Sequence, residues 1–371
     1  MNVFICSDLH LGKAFSPFRP GDPRGQSLYD EALEVPEKLS TLAAAQNADA
    51  VLIAGDLFEQ RKYDARIDAA LHSCFEALPR THFFISPGNV DPLAAQSPYL
   101  EGSWPDNVHI FGPKLKAFEL DAAPVRVYGA ACTGQTSDGR ELFNPEKLPK
   151  LDPNYINILL LHRVPAGADG APDAGPLLSC GFDLCVFGHA HKATLPQRVE
   201  GTDVLFPGAL IPHGFRDAGG LFCGTVSKGV NTLSCLPLFP RDYVQRELDV
   251  SGINSARELR DAVLPLLPRK EDLTRLVLRG TSTLALRAAA NTLAQELAEA
   301  YFYIQLIDRT EYSLADPAAP GDVSAYAAAG SALEQGTDPG TDPEVARLAR
   351  NYVFSALADL SFPEVQSYDD I

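Results

Sequence analysis

Residues 50–59, which read AVLIAGDLFE, decide the fold of this chain. Val51, Leu52 and Ile53 form a continuous apolar run, which is typical of a central strand buried on both faces of an α/β sheet. A glycine ends the run and Asp56 follows it, at the end of the strand where α/β proteins bind ligands. Such an Asp either hydrogen-bonds its own turn or bridges two metal ions through its two oxygens. The ends of the other strands decide between these alternatives.

The composition indicates a cytoplasmic globular protein. The chain has 371 residues, enough for one large domain and one or two smaller ones, and 46% of them are hydrophobic. It begins on the strand-like VFICSDLH, so we expect no signal peptide, and no apolar run is long enough to cross a membrane. Seven cysteines without a C-x-x-C pair indicate a reducing compartment, and Cys6, Cys185 and Cys223 are expected to be buried packing residues.

The net charge of −17 by itself argues against a nucleic-acid partner. Its distribution weakens that argument, because residues 311–371 contain 11 acidic side chains and two arginines. The net charge of that segment is −9, and the net charge of the first 310 residues is only −8. Bound metal ions would add positive charge where a phosphate approaches. Charge therefore does not decide the substrate.

Four further strand-like segments end in side chains that can bind metal. The strand at residues 2–7 precedes an Asp-x-His pair, whose two side chains face the same way in an extended segment. The strands at 82–86 and 156–161 precede an asparagine and a histidine, and the strand at 182–187 precedes Gly-His-Ala-His. A lone histidine after a strand is usually structural, but a pair after a glycine is typical of ligands. With Asp56, the candidate ligands are Asp8, His10, Asp56, Asn89, His162, His189 and His191.

This set of oxygen and imidazole ligands contains no thiolate, which suits Mn²⁺ and also Fe²⁺ or Zn²⁺. Seven ligands are too many for one tetrahedral ion and fit two ions that share the carboxylate of Asp56. Two ions about 3.5–4 Å apart polarise a phosphate and activate water, which is the chemistry of metal-dependent phosphoester hydrolysis. The strand ends therefore predict two divalent ions, with Mn²⁺ preferred, and a hydrolase.

Between these strands, the sequence predicts alternating helices and strands. Residues 16–26 are rich in Pro, Gly and Arg and predict a loop, and residues 28–48 and 65–78 have helical apolar spacing. Segments 108–111, 115–120 and 125–131 predict shorter strands of a second sheet. The expected class is α/β.

The order D-x-H, GD, GN-x-D, H and GHAH resembles the calcineurin-like metallophosphoesterase superfamily. Within it, SDLHLGK, AGDLFE, LLLHR, FGHAH and FPGALIPHGFRDAGG are similar to the SbcD-type DNA repair exonucleases, up to about Leu238 and in outline for the next 70 residues. The resemblance implies a four-layer α/β/β/α sandwich with a small α+β cap domain and a C-terminal helix. It also implies two ion sites, one held by Asp8, His10, Asp56 and His191 and the other by Asp56, Asn89, His162 and His189.

The sequence departs from the family at one position. The family motif GNHD here reads Gly88-Asn89-Val90-Asp91. The family's histidine contacts the scissile phosphate and helps to protonate the leaving group, and valine has no donor or acceptor for either task. His213, in the PHGFR loop, is either a substitute or a loop residue without a role. The candidate catalytic residues are Asp56, Asn89, Asp91 and His213, and the candidate substrate-binding residues are Lys13, Arg163 and Arg216.

The resemblance also divides the chain into segments. Residues 1–240 would form the metallophosphoesterase domain, and residues 241–312, which alternate strand and helix, the cap; a generic α/β appendage is the alternative. Residues 313–343 are rich in Ala, Gly, Pro and Asp and predict a flexible acidic linker. Residues 344–371 predict a helical segment that binds the coiled-coil base of an SbcC-type ATPase, as in the family, or folds back onto its own protein.

Three functions follow from this reading. The first is a metal-dependent phosphodiesterase or DNA exonuclease that works in DNA repair with an SMC-like ATPase. The second is a phosphoesterase that acts on a small substrate. The third is a catalytically weakened, metal-binding scaffold subunit, which Val90 makes a real alternative. The expected partners are DNA, the SbcC-type ATPase and a second copy of the chain, without a membrane.

Overall fold

The computed structural model describes residues 1–120, 123–134, 150–165, 174–267 and 269–312, with single residues at 345 and 349. The chain divides into two compact units, Met1–Pro240 and Arg241–Ile371. Apart from those two single positions, the predicted linker at 313–343 and the predicted helical segment at 344–371 lie outside the described residues.

The described part of the first unit contains two six-stranded sheets. Its strands, numbered along the chain, are β1 (Asn2–Cys6), β2 (Ala50–Ile53), β3 (His82–Ile85), β4 (Val108–Ile110), β5 (Lys116–Leu120), β6 (Val125–Ala130), β7 (Ile156–Leu161), β8 (Leu184–Phe187), β9 (Thr194–Val199), β10 (Thr202–Phe206), β11 (Leu221–Ser227) and β12 (Val230–Leu236). The first sheet has the order β12-β11-β1-β2-β3-β4, and the second has the order β5-β6-β7-β8-β10-β9. The strands β1 to β4 are mutually parallel, as are β6, β7 and β8.

The prediction that residues 108–111 belong to the second sheet is wrong. Strand β4 pairs with β3 in the first sheet, where Val108 lies opposite Phe83. The ring of His109 stacks on Phe84 of β3 and also lies 5.0 Å from the ring of Phe118. A three-residue strand carries too little pattern to choose its sheet, so the free edge of β3 and these ring contacts decide its place.

The described α-helices of the first unit are α1 (Pro23–Leu33), α2 (Val35–Ala45), α3 (Ala65–Glu76), α4 (Pro98–Glu101) and α5 (Gly175–Leu178). The loop predicted at 16–26 is wrong in its second half, because Asp22 caps α1 with its side chain and Pro23 occupies the first turn. The single helix predicted at 28–48 is two helices, which meet at Glu34. Pro36 accounts for the break, since it has no N–H to continue the first helix and is tolerated in the first turn of the second. The helix predicted at 65–78 is confirmed.

The main core lies between the two sheets. Ile5, Leu52 and Phe84 of the first sheet belong to the same buried cluster as Leu160 and Val186 of the second. Burial of each such side chain contributes about 1.5–3 kcal/mol. The sandwich therefore rests on the alternate residues that face inward from both sheets.

Helices cover the outer faces of the two sheets. Phe75 of α3 packs on Phe83 of β3, with ring centroids 4.7 Å apart. On the other side, Leu177 of α5 belongs to a buried cluster with Leu159 and Phe187. The predicted layered α/β sandwich is confirmed, with its fourth layer represented in the described residues by the short helix α5.

The second unit is an α/β domain with its own core. Its described α-helices and strands are β13 (Tyr243–Asp249), α6 (Ala256–Val263), β14 (Leu273–Arg279), β15 (Thr281–Ser282), α7 (Leu284–Ala300), β16 (Tyr303–Asp308) and β17 (Glu311–Tyr312). The strands β13, β14 and β16 form a parallel sheet, and Leu259, Leu276 and Leu293 join it to the two helices in one buried cluster. The predicted alternation of strands and helices is confirmed here, whereas a role as a cap stays a prediction.

Two further expectations concern cysteines and membranes. Cys6, Cys185 and Cys223 are buried strand residues, as predicted, and no described cysteine is in a disulfide. Burial raises the pKa of all three thiols, which keeps them protonated and unreactive. Across the described ranges, we find no helix that combines the length and the hydropathy needed to cross a membrane.

Gly55 offers a test of how tightly the strand ends are packed. Its φ of +83° suits glycine, and an added Cβ would lie 2.6 Å from Nδ1 of His162 and 2.8 Å from the carbonyl oxygen of Ser86. We expect Gly55→Ala to destabilise the protein by about 2–4 kcal/mol, from backbone strain and overpacking together. Gly229→Ala is the matched control, because Gly229 has φ +75° but open space around it, and it should cost only the backbone strain of about 1–2 kcal/mol. Equal losses for the two variants in urea unfolding would contradict this account.

Candidate metal centre

The carboxyl ends of five strands meet at one edge of the sandwich. In the first sheet, β1, β2 and β3 run in parallel and are followed by Asp8, Asp56 and Asn89. In the second sheet, β7 and β8 run in parallel and are followed by His162 and by the Gly-His-Ala-His segment. Parallel strands present their carboxyl ends at the same edge, where α/β proteins bind ligands.

Four of the candidate ligands have a strained backbone. Asp8, His10, Asp56 and His189 all have φ between 47° and 66°. This left-handed conformation costs a non-glycine residue on the order of 1–2 kcal/mol and persists only where the surroundings impose it. The backbone N–H of Asp8 donates to the carbonyl of Gly55 at 3.0 Å, and that of His10 donates to the carbonyl of Asp56 at 2.9 Å. These bonds hold the turns that aim the side chains at one point.

The first group of candidate ligands consists of Asp8, His10 and His191, whose ligand atoms all lie within 4.8 Å of one another. The Nε2 atoms of His10 and His191 are 3.2 Å apart. Oδ1 of Asp8 lies 3.6 Å from Nε2 of His191 and 3.9 Å from Nε2 of His10.

The second group consists of Asp56, His162 and His189, again within 4.8 Å. Asn89 adjoins it, because Oδ1 of Asn89 lies 2.9 Å from Nε2 of His162. The structure thus brings the seven side chains that the sequence proposes as ligands to one place. Their role as ligands stays a prediction that this geometry supports.

The two groups share Asp56. Its Oδ2 lies 3.4 Å from Nε2 of His162 and 3.7 Å from Nε2 of His10, so one oxygen faces both groups. Its Oδ1 accepts the backbone N–H of Val90 at 2.9 Å, which fixes the rotation of the carboxylate. The bridging position predicted for Asp56 therefore agrees with the geometry.

Divalent cations fit this centre. Oδ1 of Asp8 is buried without a hydrogen-bond partner, which is costly for a carboxylate unless a cation lies beside it. Nδ1 of His10, His162 and His191 lies 2.8–3.1 Å from an oxygen acceptor, so each ring holds its proton there and presents the lone pair of Nε2 to the centre. The Nε2 atoms of His10 and His191 lie 3.2 Å apart, so one cation could contact both.

The pKa shifts follow from burial and from neighbouring charges. Burial raises the pKa of Asp8, although the nearby His162 acts against it. Burial lowers the pKa of His189 to about 4, with His162 and Arg163 adding to the effect, so that this ring is neutral and able to bind metal at pH 7. The hydrogen bond with Asp217 raises the pKa of His191.

Two carboxylates behind the ligands were missed by the sequence analysis. Oε1 of Glu59 accepts from Nδ1 of His10 at 3.1 Å, and Oδ1 of Asp217 accepts from Nδ1 of His191 at 2.8 Å. Oδ2 of Asp217 also accepts the backbone N–H of His213 at 2.8 Å, which ties the loop after β10 to the centre. Both residues lie inside the quoted motifs AGDLFE and HGFRDAGG, so those motifs were the available signal. Spacing alone could not reveal their partners, which are 49 and 26 residues away.

Asp91, a predicted catalytic residue, has the contacts of a positioning residue. It is fully buried, and its oxygens accept the backbone N–H groups of Asp56, Leu57 and Gly88 and the hydroxyl of Tyr99. Burial, with the charge of Asp56 as the next cause, raises its pKa to about 7. Asp91 thereby fixes the turn that carries Asp56, and its catalytic assignment stays a prediction.

His213, the other uncertain candidate, is a buried ring beside the first group. It stacks on Phe15 at 4.3 Å between centroids and lies 6.0 Å from the ring of His10. Its Nε2 lies 3.1 Å from the carbonyl oxygen of Leu9 and donates to it, and burial lowers its pKa to about 3. The ring is therefore neutral at pH 7, and its proton is held by a backbone carbonyl.

The three candidate substrate-binding cations lie near the centre in sequence and differ in their surroundings. Lys13 is half-buried, and its backbone N–H donates to the carbonyl of His10 at 2.9 Å. Nη2 of Arg163 lies 3.0 Å from Nε2 of His189. Arg216 is exposed in the loop that contains Asp217. Substrate binding by these residues stays a prediction.

Comparison with known proteins places the chain in a family. The calcineurin-like phosphoesterase family matches residues 1–193, more than half of the chain, and the chain belongs to that family. Its members bind divalent metals, in keeping with the two ligand groups described above. The family indicates a hydrolase and leaves nuclease activity open.

A curated relative supports the family and adds no finer function. The chain is 24% identical over 227 residues to the uncharacterized metallophosphoesterase YhaO of Bacillus subtilis (strain 168). This match covers 58% of the chain and 54% of that protein, so the chain spans about half the length of the relative.

Three solved structures are similar over parts of the chain. A dimetal phosphatase from Danio rerio is 12% identical, covering 60% of this chain and 91% of its own, with a TM-score of 0.38. GAP50, the anchor in the inner membrane complex of Plasmodium, is 10% identical, covering 60% and 80%, with a TM-score of 0.36. A hypothetical protein from Thermus thermophilus is 13% identical, covering 63% and 97%, with a TM-score of 0.32.

The shared position of Asp56 gives a direct test. Asp56→Asn removes the negative charge that faces both groups, so we expect the affinity for both ions to fall. His10→Ala removes a ligand from the first group only, so one ion should be affected far more than the other. The measurement is metal content by mass spectrometry after Mn²⁺ loading and gel filtration. Wild-type protein without bound transition metal after Mn²⁺ loading would contradict the two-ion reading.

Proposed function

We propose that this protein is a metal-dependent phosphodiesterase of the SbcD type, which hydrolyses DNA as an exonuclease in DNA repair together with an SbcC-type, SMC-like ATPase. The main support for the proposed hydrolysis is that a single oxygen of Asp56, Oδ2, faces both ligand groups. The motif resemblance supports the DNA substrate and the ATPase partner.

In this proposal, different residues bind the ions, orient the ligand side chains and bind the substrate. Asp8, His10 and His191 would hold one ion. Asn89, His162 and His189 would hold the other, and Asp56 would contribute to both. Bound ions would stabilise the charge of the phosphate and activate a water molecule. Glu59, Asp217 and the carbonyl of Ala54 keep three imidazoles in the tautomer that binds metal. In the proposal, Lys13, Arg163 and Arg216 bind the phosphates of the substrate.

The side chain of Val90 limits which leaving groups the proposed centre can expel. Its backbone N–H holds Oδ1 of Asp56, but its side chain has no proton to give to a leaving oxygen. A deoxyribose alkoxide is strongly basic and needs a proton as it leaves, whereas a nitrophenolate is stable as an anion. The same observation supports a second candidate function, a metal-binding scaffold subunit with weak hydrolysis. A phosphoesterase for a small substrate is the remaining alternative.

The first test compares two substrates. We expect Mn²⁺-dependent hydrolysis of an aryl phosphodiester and weak hydrolysis of single- and double-stranded DNA. We expect Val90→His to increase DNA hydrolysis about 10- to 100-fold, part of the 10²–10⁴-fold that a general acid contributes, and to change aryl ester hydrolysis less. The measurements are initial rates on both substrates at equal Mn²⁺ concentration.

Val90→Leu is the control for size, because it keeps the backbone N–H and adds no proton donor. It should leave both rates near those of the wild type. Rapid DNA hydrolysis by the wild type, with no gain from Val90→His, would show that another residue supplies the proton. Activity on the aryl ester alone, even with Val90→His, would favour the small-substrate alternative.

A second test concerns the ATPase partner. Truncation after Tyr312 keeps β16 and β17 intact and removes none of the candidate ligands. We expect aryl ester hydrolysis to stay within about twofold, because the truncated chain keeps every candidate ligand. Association with an SbcC-type ATPase, measured by co-purification, should be lost. Unchanged association would place the contact surface elsewhere on the chain.

A further inference from the structure

The strand β12 is an edge strand without the usual protection against pairing. It ends the first sheet, and within the described residues it pairs only with β11. An exposed edge offers a row of N–H and C=O groups to another chain, and proteins usually block it with a charged side chain, a proline or a short strand. Residues 230–236 read VNTLSCL, seven residues without a charge or a proline. This edge is therefore open to a further strand.

The other edge strands of the two sheets, in the described part of the first unit, have such protection. Strand β4 contains only three residues. Strand β5 contains Lys116 and Glu119, and β9 contains Pro196 and Arg198. The unprotected edge is thus a property of β12 and not of the sandwich as a whole.

Exposed apolar side chains lie at the same end of the sandwich. The side-chain amide of Asn231 in β12 donates to Oδ2 of Asp203 in β10 at 2.7 Å, and β10 pairs with the edge strand β9. Among the described residues of the first unit, four large apolar side chains are exposed. Three of them belong to β12 and β9, namely Val230 at 65%, Leu195 at 73% and Val199 at 38%. Exposed apolar side chains gathered at one place are typical of a surface that contacts another protein.

The sequence of β12 is complementary to itself in the antiparallel direction. With Leu233 at the centre, Thr232 lies opposite Ser234 of a second copy, and Val230 lies opposite Leu236 of that copy. Hydroxyl side chains then meet hydroxyl side chains, and apolar ones meet apolar ones, on the same face of the joined sheet. No charged side chain enters this pairing. That matters because each copy has a net charge of −17, which tends to keep two copies apart.

We propose that β12 is the contact surface for a second copy of this chain, which pairs with it in the antiparallel direction about Leu233. The two six-stranded sheets then form one continuous sheet across a twofold axis, and one contact covers both open edges. Backbone hydrogen bonds between the two strands hold the copies together. The inference goes beyond the proposed function, because this contact requires neither a metal ion nor a substrate.

The test is sedimentation velocity of the full chain over a range of protein concentrations. We expect the wild type to change from monomer to dimer as the concentration rises. The double variant Thr232→Lys/Ser234→Lys sets like charges opposite each other at two places in the pairing, so the dissociation constant should rise about tenfold. The double variant Thr232→Lys/Ser234→Glu sets opposite charges at the same places and should keep the dimer. Both positions are exposed, so the fold should tolerate these changes.

The matched control adds the same charges elsewhere. Ser73→Lys/Ala77→Lys changes two exposed positions at the end of α3 and should leave the dissociation constant unchanged. A mixing experiment guards against a folding defect in the lysine variant. Thr232→Lys/Ser234→Lys and Thr232→Glu/Ser234→Glu should each dimerise poorly alone and form a dimer with each other.

Three results would overturn the inference. The first is a wild type that stays monomeric at every concentration, which would leave an extended peptide of another protein as the occupant of this edge. The second is a dimer that the lysine variant does not weaken and that the control variant does, which would place the contact elsewhere. The third is a mixture of the lysine and glutamate variants that forms no dimer. Loss of the dimer in Thr232→Lys/Ser234→Glu would overturn the pairing about Leu233.

Discussion

The hydrogen bonds that fix Asp56 are the constraint on which the rest of the centre depends. This residue sits at the end of β2 in a left-handed conformation, which its neighbours must impose. The carboxylate of Asp91 accepts its N–H at 3.1 Å, its carbonyl accepts from His10 at 2.9 Å, and its Oδ1 accepts from Val90 at 2.9 Å. Two separate segments, the turn with Val90 and Asp91 and the turn with His10, thereby orient one carboxylate, leaving Oδ2 directed at both ligand groups.

The same region joins the two sheets. Nδ1 of His162, after β7, donates to the carbonyl of Ala54, after β2, and the backbone N–H of His189 donates to Oδ2 of Asp8 at 3.1 Å. Gly188 lies so close to Ala54 that an added Cβ would be 2.1 Å from its carbonyl oxygen. The candidate metal centre thus also joins the two sheets, and ions that bind only the folded state would stabilise this junction.

Val90 and Arg163 lie at the candidate metal centre without being candidate ligands. The backbone N–H of Val90 holds Oδ1 of Asp56, so this contact does not depend on which side chain stands at position 90. Arg163 directly follows the candidate ligand His162, and its guanidinium contacts the ring of His189 from the neighbouring strand end.

The apolar strands, the ligand candidates that follow them and the α/β class are readable in the sequence, because buried parallel strands and metal ligands leave local patterns. The sequence even contained the signal for the break between α1 and α2, since Pro36 is visible in it. The place of β4 in the first sheet, and of Glu59 and Asp217 behind the candidate ligands, follows from three-dimensional contacts. So does the place of Arg163 against His189. These contacts join residues from different segments, and their partners depend on how the strands pair and where the loops meet, which local spacing does not encode.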